Sequence, residues 1–272
     1  MQRRWLFVGI LTVALIVAAI IIFQIKKSAF PLNLKKGEAA SVSSIISAAT
    51  GYETKGNLIE AKATYQRLIS EYPNSSDVVN WQKKVEGINI RLLFSPTITP
   101  KSTSYTIRPG DTLVKIARDF KTTTELIMLG NGIKDNKIIP GQRIKVWTAP
   151  FSIVVDKSQN TLILKSDEEV IKTYLVSTGE NNSTPVGTFK IVNKLPHPTW
   201  FKAGAVVKPD SPENILGSRW LGLNVTGYGI HGTTDPASLG RQVTQGCIRM
   251  ANADVEELYT IVPEGTEVII FD

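Results

Sequence analysis

Between Gly227 and Met250 the chain reads GYGIHGTTDPASLGRQVTQGCIRM, a stretch that holds the only cysteine, Cys247, and one of the two histidines, His231. A lone thiol sixteen positions after a histidine is the pattern of a thiol nucleophile and its base. Taken alone, such a pair reads as readily as a small buried cysteine and a satisfied core histidine. The surroundings argue otherwise. Glycines at 227, 229, 232, 240 and 246 crowd the stretch, and glycine at this density marks tight backbone turns rather than a packed helix.

Outward from this stretch, short β-rich runs alternate with turns: Ser152 to Asp156, Thr161 to Lys165, Val170 to Ser177 and Gly187 to Asn193. That spacing predicts a sandwich or barrel of strands. Downstream, Asn252 is expected to cap a helix with Val255, Leu258, Tyr259 and Val262 on one face, before a last strand from Glu267 to Phe271. Residues 150–272 therefore read as a β-sandwich with one packed helix.

At these residues the sequence resembles a family. The blocks Gly229-Ile230-His231-Gly232-Thr233 and Thr244-Gln245-Gly246-Cys247-Ile248-Arg249 resemble the signature of the YkuD family of L,D-transpeptidase catalytic domains. So do Val176 to Gly179, Thr184 to Phe189 and Gly217 to Leu223, in family order. The resemblance implies a transferase of peptidoglycan biosynthesis, with roles in cell wall biogenesis and cell shape. Cys247 would acylate at the third residue of a tetrapeptide stem, expel the terminal D-Ala, and pass the acyl group to a neighbouring stem as a 3-3 cross-link. It also implies acylation of Cys247 by carbapenems. One departure stands out: many members carry a second histidine just before the Gly-Cys pair, where this chain has Gln245. His231 is then the sole candidate base.

The chemistry asked of these residues is specific. A free thiol has a pKa near about 8.5, so Cys247 is expected to owe its thiolate character to His231. Backbone N–H groups of Gly246 and Cys247 are candidates for an oxyanion site, since glycine admits close approach. Either the Gly232 carbonyl or Asp235 orients His231 in this reading, although Asp235-Pro236 also reads as a turn. Arg249, two residues past the nucleophile, shares its side of an extended chain and is a candidate clamp for a substrate carboxylate, or else a salt bridge fixing the loop. Tyr228 is the candidate wall of the peptide groove, and His197 between two prolines reads as exposed. No cofactor or metal is expected.

Upstream, residues 104–147 contain YTIRPGDTLVKIARDFKTTTELIMLGNGIKDNKIIPGQRIKV. Asp111 is expected to cap a helix with Leu113, Ile116, Ala117 and Phe120 on its apolar face. A second helix starts at Thr122 with Glu125 in capping-box spacing and ends near Asn131-Gly132. With flanking strands the order is β-α-α-β, and the whole resembles a LysM module. The resemblance implies binding to glycan strands of peptidoglycan, with Gly110, Asp111, Thr112, Asn131, Gly132 and Ile133 as contact candidates. Read only from spacing, the same residues are turns and caps.

Residues 93–103, rich in Pro, Ser and Thr, read as a solvated linker. Residues 39–92 read as helical. Tyr52, Ala61, Tyr65 and Pro73 fall at tetratricopeptide-like spacings, yet a single repeat cannot bury its own face, so a helix hairpin packed on a third helix around Val78, Trp81 and Val85 reads equally well. This segment is a candidate surface for a protein partner.

From Trp5 to Ile25 the chain has no charged residue, long enough to span about 30 Å of hydrocarbon as a helix. Residues 5–25 are thus expected to be a single transmembrane helix, with 1–4 cytoplasmic and the bulk of the chain outside, in a bacterial cell envelope. The fold class that follows is multidomain α+β. Across 272 residues the net charge is +7, from 31 basic and 24 acidic residues, without a basic run that would suggest nucleic acid. One cysteine excludes an intramolecular disulfide and a Cys-rich metal site. Rival outcomes for the same residues are an L,D-carboxypeptidase, attachment of a protein to the wall, and a wall-binding tether with an idle catalytic domain.

Overall fold

The structure, a computed structural model, describes residues 41–202, 204–209 and 211–272. The expected transmembrane helix at 5–25 lies outside the described residues. Among those, no helix is long and apolar enough to cross a membrane. The chain divides into two compact units, one ending at Ile88 and the other running from Asn89 to Asp272.

In the first unit, helices α1 (Val42–Thr54) and α2 (Leu58–Glu71) form a hairpin. Its seam buries Ile45 and Ala49 against Leu58, Ala61, Tyr65 and Leu68, a spacing that puts the apolar side chains on one stripe. Ser41 caps α1 by accepting the Ser44 N–H at 3.3 Å. Helix α3 (Val78–Leu93) begins in this unit, where Trp81 and Ile88 are buried, and ends in the second.

The expected linker is tied down at both ends, while Pro96, Ile98 and Pro100 between them are exposed. Leu93 is buried in the core of the second unit and Phe94 packs on it, while β1 (Ser102–Thr106) already starts inside the expected linker. Composition misled because these hydroxyls serve local backbone: Ser102 Oγ accepts the Thr99 N–H at 2.8 Å, and Ser95 Oγ donates to the Leu92 carbonyl.

β1, α4 (Leu113–Asp119), α5 (Thr124–Asn131) and β2 (Arg143–Trp147) follow in the expected β-α-α-β order, with β1 and β2 antiparallel. Their core is Ile107, Leu113, Ile116, Ala117, Ile127, Ile144 and Val146. Each helix starts one residue later than the sequence suggests. Thr112, not Asp111, caps α4 by accepting the Lys115 N–H, and Thr123, not Thr122, caps α5 through the Leu126 N–H. Asp111 is drawn off by the Tyr105 hydroxyl at 2.7 Å and the Arg108 N–H at 2.9 Å. Gly132, at φ 65°, ends α5 in the left-handed conformation, as expected of a glycine cap.

Beyond this lie β3 (Phe151–Asp156), β4 (Thr161–Ser166), β5 (Glu169–Gly179) and β6 (Gly187–Pro196). The hairpin β7 (Trp200–Lys202) and β8 (Ala205–Val207) precedes β9 (Arg219–Leu223), β10 (Gly229–His231), β11 (Gln242–Thr244) and β12 (Ile248–Met250). Helix α6 (Asn252–Ile261) and β13 (Glu267–Phe271) complete the unit. The large sheet runs β11-β5-β12-β10-β9-β6-β13-β3-β4, and β4 also pairs with β5.

The expected sandwich of strands has its two sets of strands joined, through β5 and β6, into one sheet that closes on itself. Two long strands make the join. β5 gives its first half to β4 and its second to β12 and β11, while β6 gives its first half to β13 and its second to β9. A register irregularity at Ile191 to Asn193 is where β6 changes partner. The enclosed core takes alternate residues of each strand, as in β4, where Leu162 and Leu164 are fully buried. α6 packs on it through Val255, Leu258, Ile261 and Val262; Tyr259, expected on that face, is only half-buried.

Candidate active site

β10 and β12 are parallel neighbours, with Ile230 opposite Ile248 and His231 opposite Arg249. The two isoleucines are buried in the core, so alternation turns His231, Arg249 and Cys247, the residue before β12, to the other face. The topology thus brings the sequence-predicted thiol, imidazole and guanidinium onto one side of two adjacent strands.

His231 is 2% exposed, and its Nδ1 lies 2.6 Å from the Gly232 carbonyl oxygen. A carbonyl only accepts, so Nδ1 carries the hydrogen and Nε2 the lone pair. Burial, opposed by this hydrogen bond and aided by the Arg249 charge, pulls the imidazole pKa down to about 4. The Gly232 carbonyl, not Asp235, orients the ring: the Asp235 N–H bonds Thr233 Oγ1 and the residue leads into the 3-10 turn Pro236–Ser238. Trp220, opposite His231 on β9, stacks on the imidazole with centroids 6.0 Å apart and planes at 18°. Its indole N–H donates to Asn193 Oδ1 at 3.1 Å. A Cβ at Gly229 would stand 2.6 Å from the indole ring, which explains a glycine there.

Cys247 is half-buried, and its thiol points to the Gly227 carbonyl at 3.4 Å. Burial pushes the thiol pKa up, against the lowering by a backbone contact at Gly229 and by Arg249. Burial thus favours the uncharged form of both groups, so the thiolate character expected of Cys247 is not favoured by its surroundings at rest. Two threonines hold the turn. Thr184 Oγ1 accepts the Gly179 N–H at 2.7 Å and donates to the Gly246 carbonyl at 2.9 Å. Thr244 Oγ1 accepts the Gly246 N–H and donates to the Cys247 carbonyl. The Gly246 N–H is thus already engaged, contrary to its expected oxyanion role. Gly246 has φ 122°, and a Cβ there would meet the Tyr228 ring at 2.6 Å. Gln245, where a second histidine was considered, is exposed.

Arg249 Nη1 donates to Ser238 Oγ at 2.9 Å, while its Nε is buried without a partner. Among the described residues no carboxylate pairs with it, which removes the loop salt bridge as an explanation. A groove of about 430 Å³ is lined by Val192, Asn193, Trp220, Leu223, Gly227 and Tyr228; the thiol does not line it, but Gly227, whose carbonyl the thiol faces, does. Among the described residues no cluster of three or more metal-ligating side chains occurs.

In the β-α-α-β module the predicted contact side chains have structural work. Asp111 holds the β1–α4 corner, its carboxyl kept below the usual range first by the Tyr105 hydroxyl and then by the Arg108 N–H. Thr112 is a cap; Asn131 bonds the Ile127 carbonyl and both backbone groups of Lys145. Gly110 and Gly132 are positive-φ turns, and Ile133 packs on the module core. Sequence reasoning gave no role to Thr184, Thr244 or Asn193: the first two stand inside the resembled blocks and Asn193 ends an expected strand, and nothing local sets them apart.

Residues 150–270 match the model of the YkuD L,D-transpeptidase catalytic domain, and residues 105–147 match the LysM domain. The chain belongs to the YkuD family of L,D-transpeptidases. Among its relatives is YkuD of Bacillus licheniformis, named as an L,D-transpeptidase, 39% identical over 174 residues that cover 61% of this chain and 97% of the relative. YkuD of Bacillus subtilis is 37% identical over 174 residues, covering 61% and 98%. YqjB of Bacillus subtilis is 39% identical over 126 residues, covering 44% and 70%.

Proposed function

We propose that this chain is a peptidoglycan L,D-transpeptidase that builds 3-3 cross-links through a thioester on Cys247. The observation that carries the reading is the fixed tautomer of His231, whose Nε2 lone pair lies on the strand face shared with Cys247. As Sγ attacks the carbonyl of the third residue of a donor stem, Nε2 takes the thiol proton, and the thiolate need not exist beforehand. The tetrahedral oxygen then receives the Cys247 N–H, since the Gly246 N–H is occupied. Collapse breaks the peptide bond and expels D-Ala, whose amine carries away the proton from Nε2. An acceptor amine attacks the thioester, Nε2 accepts its proton, and the proton returns to sulfur as the thiolate leaves.

Arg249 supplies the substrate contact in this reading: a guanidinium without a carboxylate partner among the described residues, on the nucleophile's face, suits a stem carboxylate. Tyr228 and the groove wall beside it take the peptide. The LysM module holds the enzyme to glycan strands and raises the local concentration of stems. Residues 5–25 anchor the chain in the membrane with the catalytic part outside.

Incubating the full chain with disaccharide tetrapeptide and weighing the products by mass spectrometry tests the reading. A cross-linked dimer with loss of D-Ala is expected. Tripeptide alone would make the enzyme a carboxypeptidase, and unchanged substrate would overturn catalysis on this stem.

A further inference from the structure

The peptide unit between Gly232 and Thr233 has both ends engaged. Its carbonyl accepts the His231 Nδ1 hydrogen at 2.6 Å, and its N–H, that of Thr233, donates to Asn252 Oδ1 at 3.0 Å. The same Oδ1 also accepts the Ser218 N–H at 3.2 Å. Two N–H donors converge on one amide atom, so that atom is the oxygen and the orientation of the amide is fixed by chemistry. Asn252 was expected from the sequence to cap α6, but the N-cap position is Ala251, and Asn252 is the first residue of the helix with its side chain turned away to this contact.

The surroundings are built around that amide. A Cβ at Gly232 would stand 2.1 Å from Asn252 Oδ1, and one at Gly217, at φ 64°, would stand 2.2 Å from it. Both glycines of the resembled blocks are therefore needed for the oxygen to reach the two N–H groups. A hydrogen bond to one end of a peptide polarises the other, and chained bonds strengthen one another. An acceptor on the Thr233 N–H makes the Gly232 oxygen a better acceptor for the imidazole.

We propose that Asn252 is a positioning residue for the transfer reaction, acting through the Gly232–Thr233 peptide to hold His231 in its Nδ1–H tautomer. The arrangement performs, through one peptide unit, the orienting work that a carboxylate performs in a Ser-His-Asp triad, without placing a negative charge beside the thiol. This inference rests on the assignment of His231 as the base, and its test is independent of turnover.

In the full chain carrying His197→Gln, His231 is the only imidazole, and nitrogen-15 NMR reads its tautomer and pKa directly. His197 is exposed and outside the catalytic machinery. Asn252→Ala should admit the Nε2–H tautomer and lower kcat about tenfold with little change in KM, the worth of roughly one hydrogen bond. Asn252→Asp retains an oxygen acceptor of the same shape; it should keep the Nδ1–H tautomer, restore turnover relative to alanine, and raise the His231 pKa through the added negative charge. An unchanged tautomer in Asn252→Ala overturns the proposal. So does loss of the tautomer in both variants alike, which would make Asn252 a space-filler only. Should the parent protein turn over no stem peptide, the functional reading falls, while the tautomer still decides the relay.

Discussion

Burial of His231 keeps its imidazole neutral until the pH falls to about 4, while burial of Cys247 keeps its thiol protonated above the ordinary range. Base catalysis by Nε2 then fails on the acid side only as His231 protonates, and the apparent values belong to the Cys247–His231 pair. Acylation of Cys247 by a carbapenem, read by intact mass, should be flat through neutrality and fall towards pH 4. With His231→Ala it should be slow at pH 7 and recover only above about 8.5, where the unassisted thiol ionises. A His231→Ala protein that acylates normally at pH 7 would sink the assignment, as would retained cross-linking in Cys247→Ser. The same depressed pKa has a cost in stability. Between about pH 6.5 and 4 the unfolded chain binds the His231 proton and the folded chain does not, so stability falls as pH falls through this window. The full loss is roughly 3 kcal/mol. His231→Gln should flatten that dependence in urea melts between pH 7 and 4.

At the scale of elements, the turn entering β12 hangs on two buried hydroxyls, each joining a backbone donor to a backbone carbonyl. Thr184→Val keeps the shape and strands the Gly179 N–H and the Gly246 carbonyl. Each stranded group costs about 1–3 kcal/mol, partly relieved by water. We expect a lower midpoint of unfolding and, because Gly246 is bonded to the nucleophile, slower acylation at unchanged His231 pKa. Thr184→Ser, which keeps the hydroxyl, should recover most of both. Wild-type acylation by Thr184→Val would show that the turn is held by its glycine geometry alone. The strands themselves were legible, since β3, β4 and β13 are short runs rich in apolar and β-branched residues between turns. The caps were not, because Asp111, Thr112, Thr122 and Thr123 all qualify by spacing and only the partners met in the folded chain choose among them. Thr122 Oγ1 is left buried without a partner, while the Thr123 hydroxyl donates to the carbonyl of Thr260 in α6.

For the second unit as a whole, that Thr123 bond is one of several by which the LysM module is built onto the catalytic domain. Leu126 and Trp147 belong to the same buried core as Phe151 and Val255, Trp147 stacks on Phe151 at 5.8 Å, and its indole N–H reaches Ser166 Oγ. Lys145 donates to the Leu92 and Ser95 carbonyls at the end of α3, and burial lowers its pKa to about 8. The module is thus not a bead on a string. Trp147→Ala should destabilise the catalytic domain by about 3–5 kcal/mol, and residues 89–272 of the intact chain should melt in one calorimetric transition. Separate transitions for module and catalytic domain would contradict this.

The sequence by itself determined the order of module and catalytic domain, the candidate nucleophile and base, and the longer strands, because these depend on residue type and on periodicity along the chain. Only the tertiary structure decided the rest. The charge state of the Cys247–His231 pair follows from burial, which no local spacing encodes. The closure of the sheet follows from β5 and β6 each being long enough to serve two sets of neighbours. And Asn252, which in sequence reads as one more helix cap, meets Gly217, Ser218, Gly232 and Thr233 only because α6 folds back across β9 and β10, bringing together hydrogen-bonding groups up to 34 positions apart.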